Sequence, residues 1–456
     1  MQFFEKIWSG VLTAWSGLLQ GLDTVHLFFA KGAAVLLALV VTAIPQLNSL
    51  EGYIKDQIPA TIAYAPWFWL TSQLRPLNDD VESALEKVGG YIKGVAHAPA
   101  EQAVLDANVE WTRHGMSFPY NIDGSVSDSW KETKRWFAEY KALGIKVLAI
   151  TPSPGYWVEA GVDPRLPENE ERIREISAFI MTELKDLVDG IQTCNEIGIP
   201  MFTSPLTTKE ACRLMALQLE GFSRVDRGNV IVGYTTAITQ MDVQVQMRPY
   251  LQYVDWIGTD IHLGSHMAFG SNIELFDVII DILWGFTGKP IILTEYGYLS
   301  AGKTKTEEEK NEILAGYGYK DEADARAHID EFITKLPEKM QDKINRLGGD
   351  DKANYIFNSD CANHLWKEIP SGAMLPGYEH TLEGEAQFFA DMIPKLAEKP
   401  YLIGQFPYEW QDGEECSWCG QADCPIEATN WGLINADGSA KPALEAVKNG
   451  FANIDR

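Results

Sequence analysis

From residue 91 onward the chain alternates between short apolar runs and longer stretches whose apolar residues recur at helical spacing. The runs are YIKGVAHA (Tyr91–Ala98), EWTRHGMSF (Glu110–Phe118), IKVLAITPSP (Ile145–Pro154), GIQTCNE (Gly190–Glu196), NVIVGYTT (Asn229–Thr236), DWIGTDIH (Asp255–His262), PIILTEYGY (Pro290–Tyr298) and YLIGQFPYEW (Tyr401–Trp410). They read as buried strands. Between them lie amphipathic helices: SWKETKRWFAEYKALG, stopping at Gly144, then Glu168–Val188 and Thr208–Phe222. KPALEAVKNGFA closes the series. Eight such units predict an α/β (β/α)8 TIM barrel over residues 91–450. A doubly wound sheet would carry a glycine-rich phosphate turn after its first strand, and GVAHAP is not one.

Two regions exceed the barrel. Residues 300–380, including EEEKNEIL and DEADARAHIDEFITKL, form a helical insertion after strand seven. That places it on the face where barrel active sites lie, as a solvated outgrowth or a lid that shapes a substrate site. Residues 1–90 have another texture and predict a helical N-terminal extension. Apolar residues recur along one stripe of Phe3–Leu22, and an almost uninterrupted apolar stretch follows over Val25–Ile44. The strictly apolar part is short for a membrane span. A spanning or interfacial anchor, a helical region buried against a partner or against the enzyme itself, and a cleaved signal peptide all fit residues 1–70. YAPWFWL (Tyr64–Leu70) looks interfacial as well. An anchor would put the protein outside the cell or at its envelope.

The whole chain has 456 residues, with 38 basic against 64 acidic side chains and a net charge of −26. That charge excludes a nucleic-acid partner and disfavours strongly anionic polysaccharides. Three of the six cysteines crowd into CSWCGQADC as Cys416, Cys419 and Cys424. A C-x2-C pair can hold zinc, but no second pair or H-x3-H follows in sequence. Two disulfides, with Cys361 as a partner, are the expectation, with a bound metal and free thiols as the alternatives; no cofactor is expected.

In such barrels the residues ending strands are candidates for chemistry. Here they are His97, Arg113, His114, Thr151, Asn195, Glu196, Tyr234, Asp260, His262, Glu295, Glu409 and Trp410. Glu196 closes strand four and Glu295 closes strand seven, on opposite sides of a narrow barrel. Glycoside hydrolysis uses two facing carboxyl groups, about 5–5.5 Å apart in retaining enzymes.

Asn195-Glu196 after strand four and TEYG (Thr294–Gly297) after strand seven resemble the clan A retaining glycoside hydrolases. The resemblance implies that Glu196 is the acid/base, Glu295 the nucleophile and Asn195 a ligand of the sugar's 2-hydroxyl. It implies that Arg113 hydrogen-bonds the nucleophile and that Trp410 is the aromatic platform beneath the sugar. His262 is similar to the strand-six histidine of the clan, but the tyrosine that often follows two residues on is Gly264 here. Tyr234 and Tyr298 are the candidates to replace it. From charge alone, Arg113 would lower the pKa of Glu295, and partial burial would raise that of Glu196. His97 and His114 are either packed barrel residues or substrate contacts. Trp157, Trp418 and Trp431 could stack on sugar faces.

The reading is therefore a retaining glycoside hydrolase on a neutral β-linked oligo- or polysaccharide. Its rivals are a non-catalytic carbohydrate-binding or assembly subunit, and a bacterial wall-glycan hydrolase delivered by a particle or envelope complex through the N-terminal segment.

Overall fold

The structure is a computed structural model that describes residues 68–265, 273–370, 372–426 and 429–456. The amphipathic and apolar helices expected over residues 1–67 lie outside the described residues, and with them the membrane or partner contact. Among the described residues, no helix is long and apolar enough to cross a membrane.

Eight parallel strands close into a barrel in sequence order: β1 (Ile92–Ala96), β2 (Trp111–Gly115), β3 (Lys146–Ile150), β4 (Gly190–Thr193), β5 (Ile231–Ala237), β6 (Trp256–Ile261), β7 (Ile291–Tyr296) and β8 (Leu402–Pro407). All eight predicted runs supply a strand. Closure comes from pairing of Ile92 and Lys93 with Gly404 and Gln405. The helices end where local chemistry ends them. Ser127 accepts a hydrogen bond from the Trp130 N–H to start helix Asp128–Leu143, and Gly144 stops it at a left-handed φ of 83°.

The barrel interior is filled by large residues set against glycines. A Cβ on Gly94 would lie 2.2 Å from the Phe406 ring, and one on Gly233 would lie 2.4 Å from Trp256. Trp111 stands at the floor with the Lys146 ammonium 5.5 Å from its ring centroid. Lys146 Nζ in turn donates to the Val88 carbonyl at 2.5 Å, so helix Asp79–Val88 lies across the bottom of the barrel.

Part of the predicted extension is thus integral to the fold. Phe68 meets Phe286 edge-on with centroids 4.7 Å apart, and Arg75 and Asn78 donate to the carbonyls of Gly285 and Gly288. The end of YAPWFWL packs on helix Glu274–Thr287.

The insertion after β7 is a bundle of short helices running from Glu307 to Trp366. It has a small core of its own, shared with residues 416–426 of the loop after β8 and separate from the main barrel core.

Candidate active site

A cleft of about 1960 Å³ opens at the C-terminal ends of the strands. It is lined by Asn195, Glu196, Arg113, His262, Glu295 and His97 of the predicted set. The insertion contributes Lys343, Asp351, Asn354 and Tyr355 to its wall.

Strand β4 ends in a contorted turn. Cys194 and Glu196 have φ of 55° and 41°, a region that non-glycine residues adopt only when held there. The holding groups are visible. Thr151 Oγ1 accepts from the Cys194 N–H at 2.9 Å, Gln192 Nε2 donates to the Cys194 carbonyl at 2.7 Å, and the Glu196 carbonyl accepts from the Ile199 N–H at 3.1 Å. Such a turn costs about 1–3 kcal/mol per strained residue, and its result is to present Glu196, 8% exposed, to the cleft.

Arg113 organises the site. Its side chain, 1% exposed, donates through Nη1 to Glu295 Oε1, through Nη2 to Asn195 Oδ1 at 2.5 Å and through Nε to Gln192 Oε1 at 2.9 Å. A guanidinium only donates, so it fixes the Asn195 oxygen toward itself and leaves the amide NH2 to donate elsewhere. Gln192 Nε2 also donates to Asn195 Oδ1, at 3.1 Å.

Glu295 reaches the cleft because of a β-bulge. Thr259 pairs with Leu293 but Asp260 pairs with Glu295, so β7 carries one extra residue, and its register against β8 slips at the same place. Thr294 Oγ1 accordingly meets Thr235 Oγ1 and Asp260 inside the barrel, while Glu295 also turns inward to Arg113 and His262. Tyr296 then points out to Gln405. Bulges of this kind re-aim side chains beside active sites.

The two carboxyl groups in contact with this network diverge electrically. Burial disfavours charge on Glu295, but the Arg113 guanidinium, aided by His262, holds its pKa at about 2. Asp260 is pushed well above the usual carboxylate range, first by burial and then by the Glu295 charge. Arg113 Nη2 stands 3.8 Å from Asp260 Oδ2, beyond hydrogen-bond reach, whereas it bonds Glu295 directly. Arg113 thus favours the charge on Glu295, while burial disfavours it on Asp260.

Several expectations need correction. Tyr234 does not reach the cleft: Thr235 points into the barrel, so Tyr234 points out, where its hydroxyl donates to Gln244 at 2.8 Å. The Tyr298 hydroxyl is likewise engaged elsewhere, donating to the Tyr378 carbonyl at 2.5 Å. Trp410 lies in the barrel core rather than in the cleft lining. Strand β8 ends at Pro407, three residues earlier than predicted, and Tyr408 takes the cleft position. Tyr408 and Trp431 meet edge-on at 5.5 Å, and both stand against His262. Tyr408 had no strand-end signal because its run was read too long.

His97 does line the cleft, with Nδ1 2.9 Å from Glu409 Oε2. His114 is a packing residue: burial pushes its pKa down to about 3, and Nε2 meets the Ala98 carbonyl and the Tyr140 hydroxyl. Trp157 is buried and donates to the Pro152 carbonyl, whereas Trp418 and Trp431 line the cleft.

The expected disulfides are absent: all six cysteines are unbridged. Cys361 lies in the insertion core, but the residue that joins Cys416, Cys419 and Cys424 is His364. Its ring is 52 positions from Cys416 in sequence, a separation that hid it from motif reading.

No protein-family model matches the chain, and no curated protein matches it. Solved structures similar to it include the GH53 catalytic domain of Ignisphaera aggregans, at 15% identity over 83% of this chain and 96% of that one, TM-score 0.46. A GH2 beta-galacturonidase from Eisenbergiella tayi follows at 14% identity and TM-score 0.46, covering 80% of this chain and 51% of that one. This chain therefore spans about half of that enzyme. The glycoside hydrolase family 17 beta-1,3-glucanosyltransferase from Rhizomucor miehei matches at 11% identity and TM-score 0.41, covering 77% and 96%. At these identities and TM-scores nothing about activity passes to this chain, whose barrel is established by its own strand pairing.

Proposed function

We propose that this protein is a retaining glycoside hydrolase that cleaves β-glycosidic bonds of a neutral glycan by double displacement. The observation that carries the reading is the asymmetry of two carboxyl groups in one cleft. Glu295 is held ionised by Arg113 and His262, and Glu196 is presented by a strained turn next to Asn195. In the first step a Glu295 oxygen attacks the anomeric carbon while Glu196 gives its proton to the departing glycosidic oxygen. In the second, Glu196 takes a proton from water, the water oxygen bonds to the anomeric carbon, and Glu295 leaves as carboxylate. The free NH2 face of Asn195 supplies a donor for a sugar hydroxyl. Tyr408 and Trp431 supply flat apolar area for a pyranose face.

The cleft lining holds seven Asp and Glu residues against three Lys and Arg, which favours a neutral glycan over an anionic one. Residues 1–67 would tether the enzyme to a membrane or a partner protein at the envelope or outside the cell. A non-catalytic barrel is the weaker reading, because binding alone needs neither a buried carboxylate nor a strained one. Azide rescue tests the assignment. Glu295→Ala should abolish turnover of an aryl β-glycoside, and azide should restore it as a glycosyl azide of inverted configuration. Rescue of that kind at Glu196→Ala instead would exchange the two roles.

A further inference from the structure

The chemistry at the cleft leaves one buried cluster unused. His364, Cys416, Cys419 and Cys424 are all buried, and their ligand atoms all lie within 4.8 Å of one another. His364 Nδ1 is 3.4 Å from Cys424 Sγ and 3.6 Å from Cys416 Sγ. A tetrahedral zinc site with Zn–S of about 2.3 Å and Zn–N of about 2.05 Å requires N···S edges of about 3.6 Å. The Cys416 edge matches that value and the Cys424 edge falls about 0.2 Å short of it.

We propose that these four residues form a structural zinc site that clamps the insertion after β7 to the loop after β8. Four protein ligands leave no open position, so the site is structural rather than catalytic.

The surrounding loop is built for thiolates. The Cys419 N–H approaches Cys416 Sγ at 3.4 Å, a donor where three thiolates and a dication leave one net negative charge. The Gly420 N–H donates to the Cys416 carbonyl at 2.8 Å with Gly420 at φ 73°, which folds the C-x2-C segment back on itself. The His364 carbonyl accepts from Gln421 Nε2 at 3.3 Å, tying helix Asp360–Trp366 to the loop. The ring of His364 stacks on Trp418 at 4.2 Å between centroids and 4° between planes.

The consequence follows from position. Trp418 and His364 both line the cleft, so the metal would fix one of its walls. The insertion has a core of its own, separate from that of the barrel, and small domains commonly use such a staple. On binding, the thiols release their protons to solvent and the ion replaces them, with no change of oxidation state.

The full-length protein, purified without chelator and reconstituted with zinc under reducing conditions, should hold about one zinc per chain. X-ray absorption should fit three sulfurs at about 2.3 Å and one nitrogen at about 2.0–2.1 Å. Cys419→Ser and His364→Ala should lose the metal or bind it more than about tenfold more weakly, while Cys361→Ser should keep it. A native protein with no bound zinc after reconstitution, or with a disulfide between any two of the three clustered cysteines, would overturn the proposal. So would a shell containing Cys361.

Discussion

Replacing Arg113 separates charge from geometry at the candidate nucleophile. The guanidinium is the main force holding Glu295 at about 2, against 4.5 for a free glutamate. That displacement corresponds to roughly 3 kcal/mol favouring the carboxylate. In Arg113→Gln the cation is gone, while burial and the neighbouring Asp260 remain. Glu295 should then titrate above 4.5, and the acid limb of kcat/KM on an aryl β-glycoside should move up by more than two pH units. Stability follows the same sign. A depressed carboxylate pKa stabilises the fold fully above 4.5 and loses that contribution as pH falls toward 2. Breaking a buried pair costs about 3–5 kcal/mol, so the melting temperature drops and the profile must be taken on protein verified as folded by circular dichroism. Arg113→Lys keeps the charge but loses the fork that also holds Asn195 and Gln192. It should keep the acid limb low while kcat falls. A folded Arg113→Gln enzyme whose acid limb stays with the wild type would refute the electrostatic role.

Asn195→Ala should lower kcat/KM by about 100- to 1000-fold, and the loss should be much smaller on a 2-deoxy glycoside, because the missing donor then has no hydroxyl to meet. An equal loss on both substrates would remove Asn195 from sugar recognition. Tyr234→Phe leaves the Gln244 oxygen without its donor in the helix layer, so stability should fall by about 1–3 kcal/mol in denaturant titration with kcat/KM unchanged. A catalytic defect there would restore Tyr234 to the site. Removing residues 1–67 should leave hydrolysis of a small aryl glycoside intact while changing partition between membrane and soluble fractions. Removing residues 1–90 takes away the floor of the barrel and should abolish folding.

The barrel was legible because each strand is a separate apolar run and several helices carry a glycine stop, as Gly144 and Gly288 do. Glu196 was legible for a related reason, since a polar pair after a buried strand marks the barrel mouth. What the pattern could not carry was local register. Alternation from Thr294 would send Glu295 outward, and only the bulge in β7 brings it in. Tyr234 sits near a strand end, but alternation along β5 turns it outward, and an overlong β8 gave Trp410 the place of Tyr408. The cysteine cluster failed differently. Its fourth member comes from a helix of the insertion, so no spacing rule within CSWCGQADC could reveal it. At the N-terminal side, apolar residues of the Phe68–Trp69 segment looked like a surface for lipid but pack on the barrel.

The central claim is that Glu295 forms a covalent bond to the sugar. The most direct measurement is trapping with a 2-deoxy-2-fluoro β-glycoside bearing a good leaving group, chosen for the sugar that the enzyme turns over. The fluorine slows both steps and the leaving group restores the first, so the glycosyl-enzyme accumulates. Intact mass should rise by one glycosyl unit, and peptide mapping should place it on Glu295. No adduct from an enzyme that hydrolyses the parent glycoside with inversion, or an adduct on Glu196 or Glu409, would contradict the account.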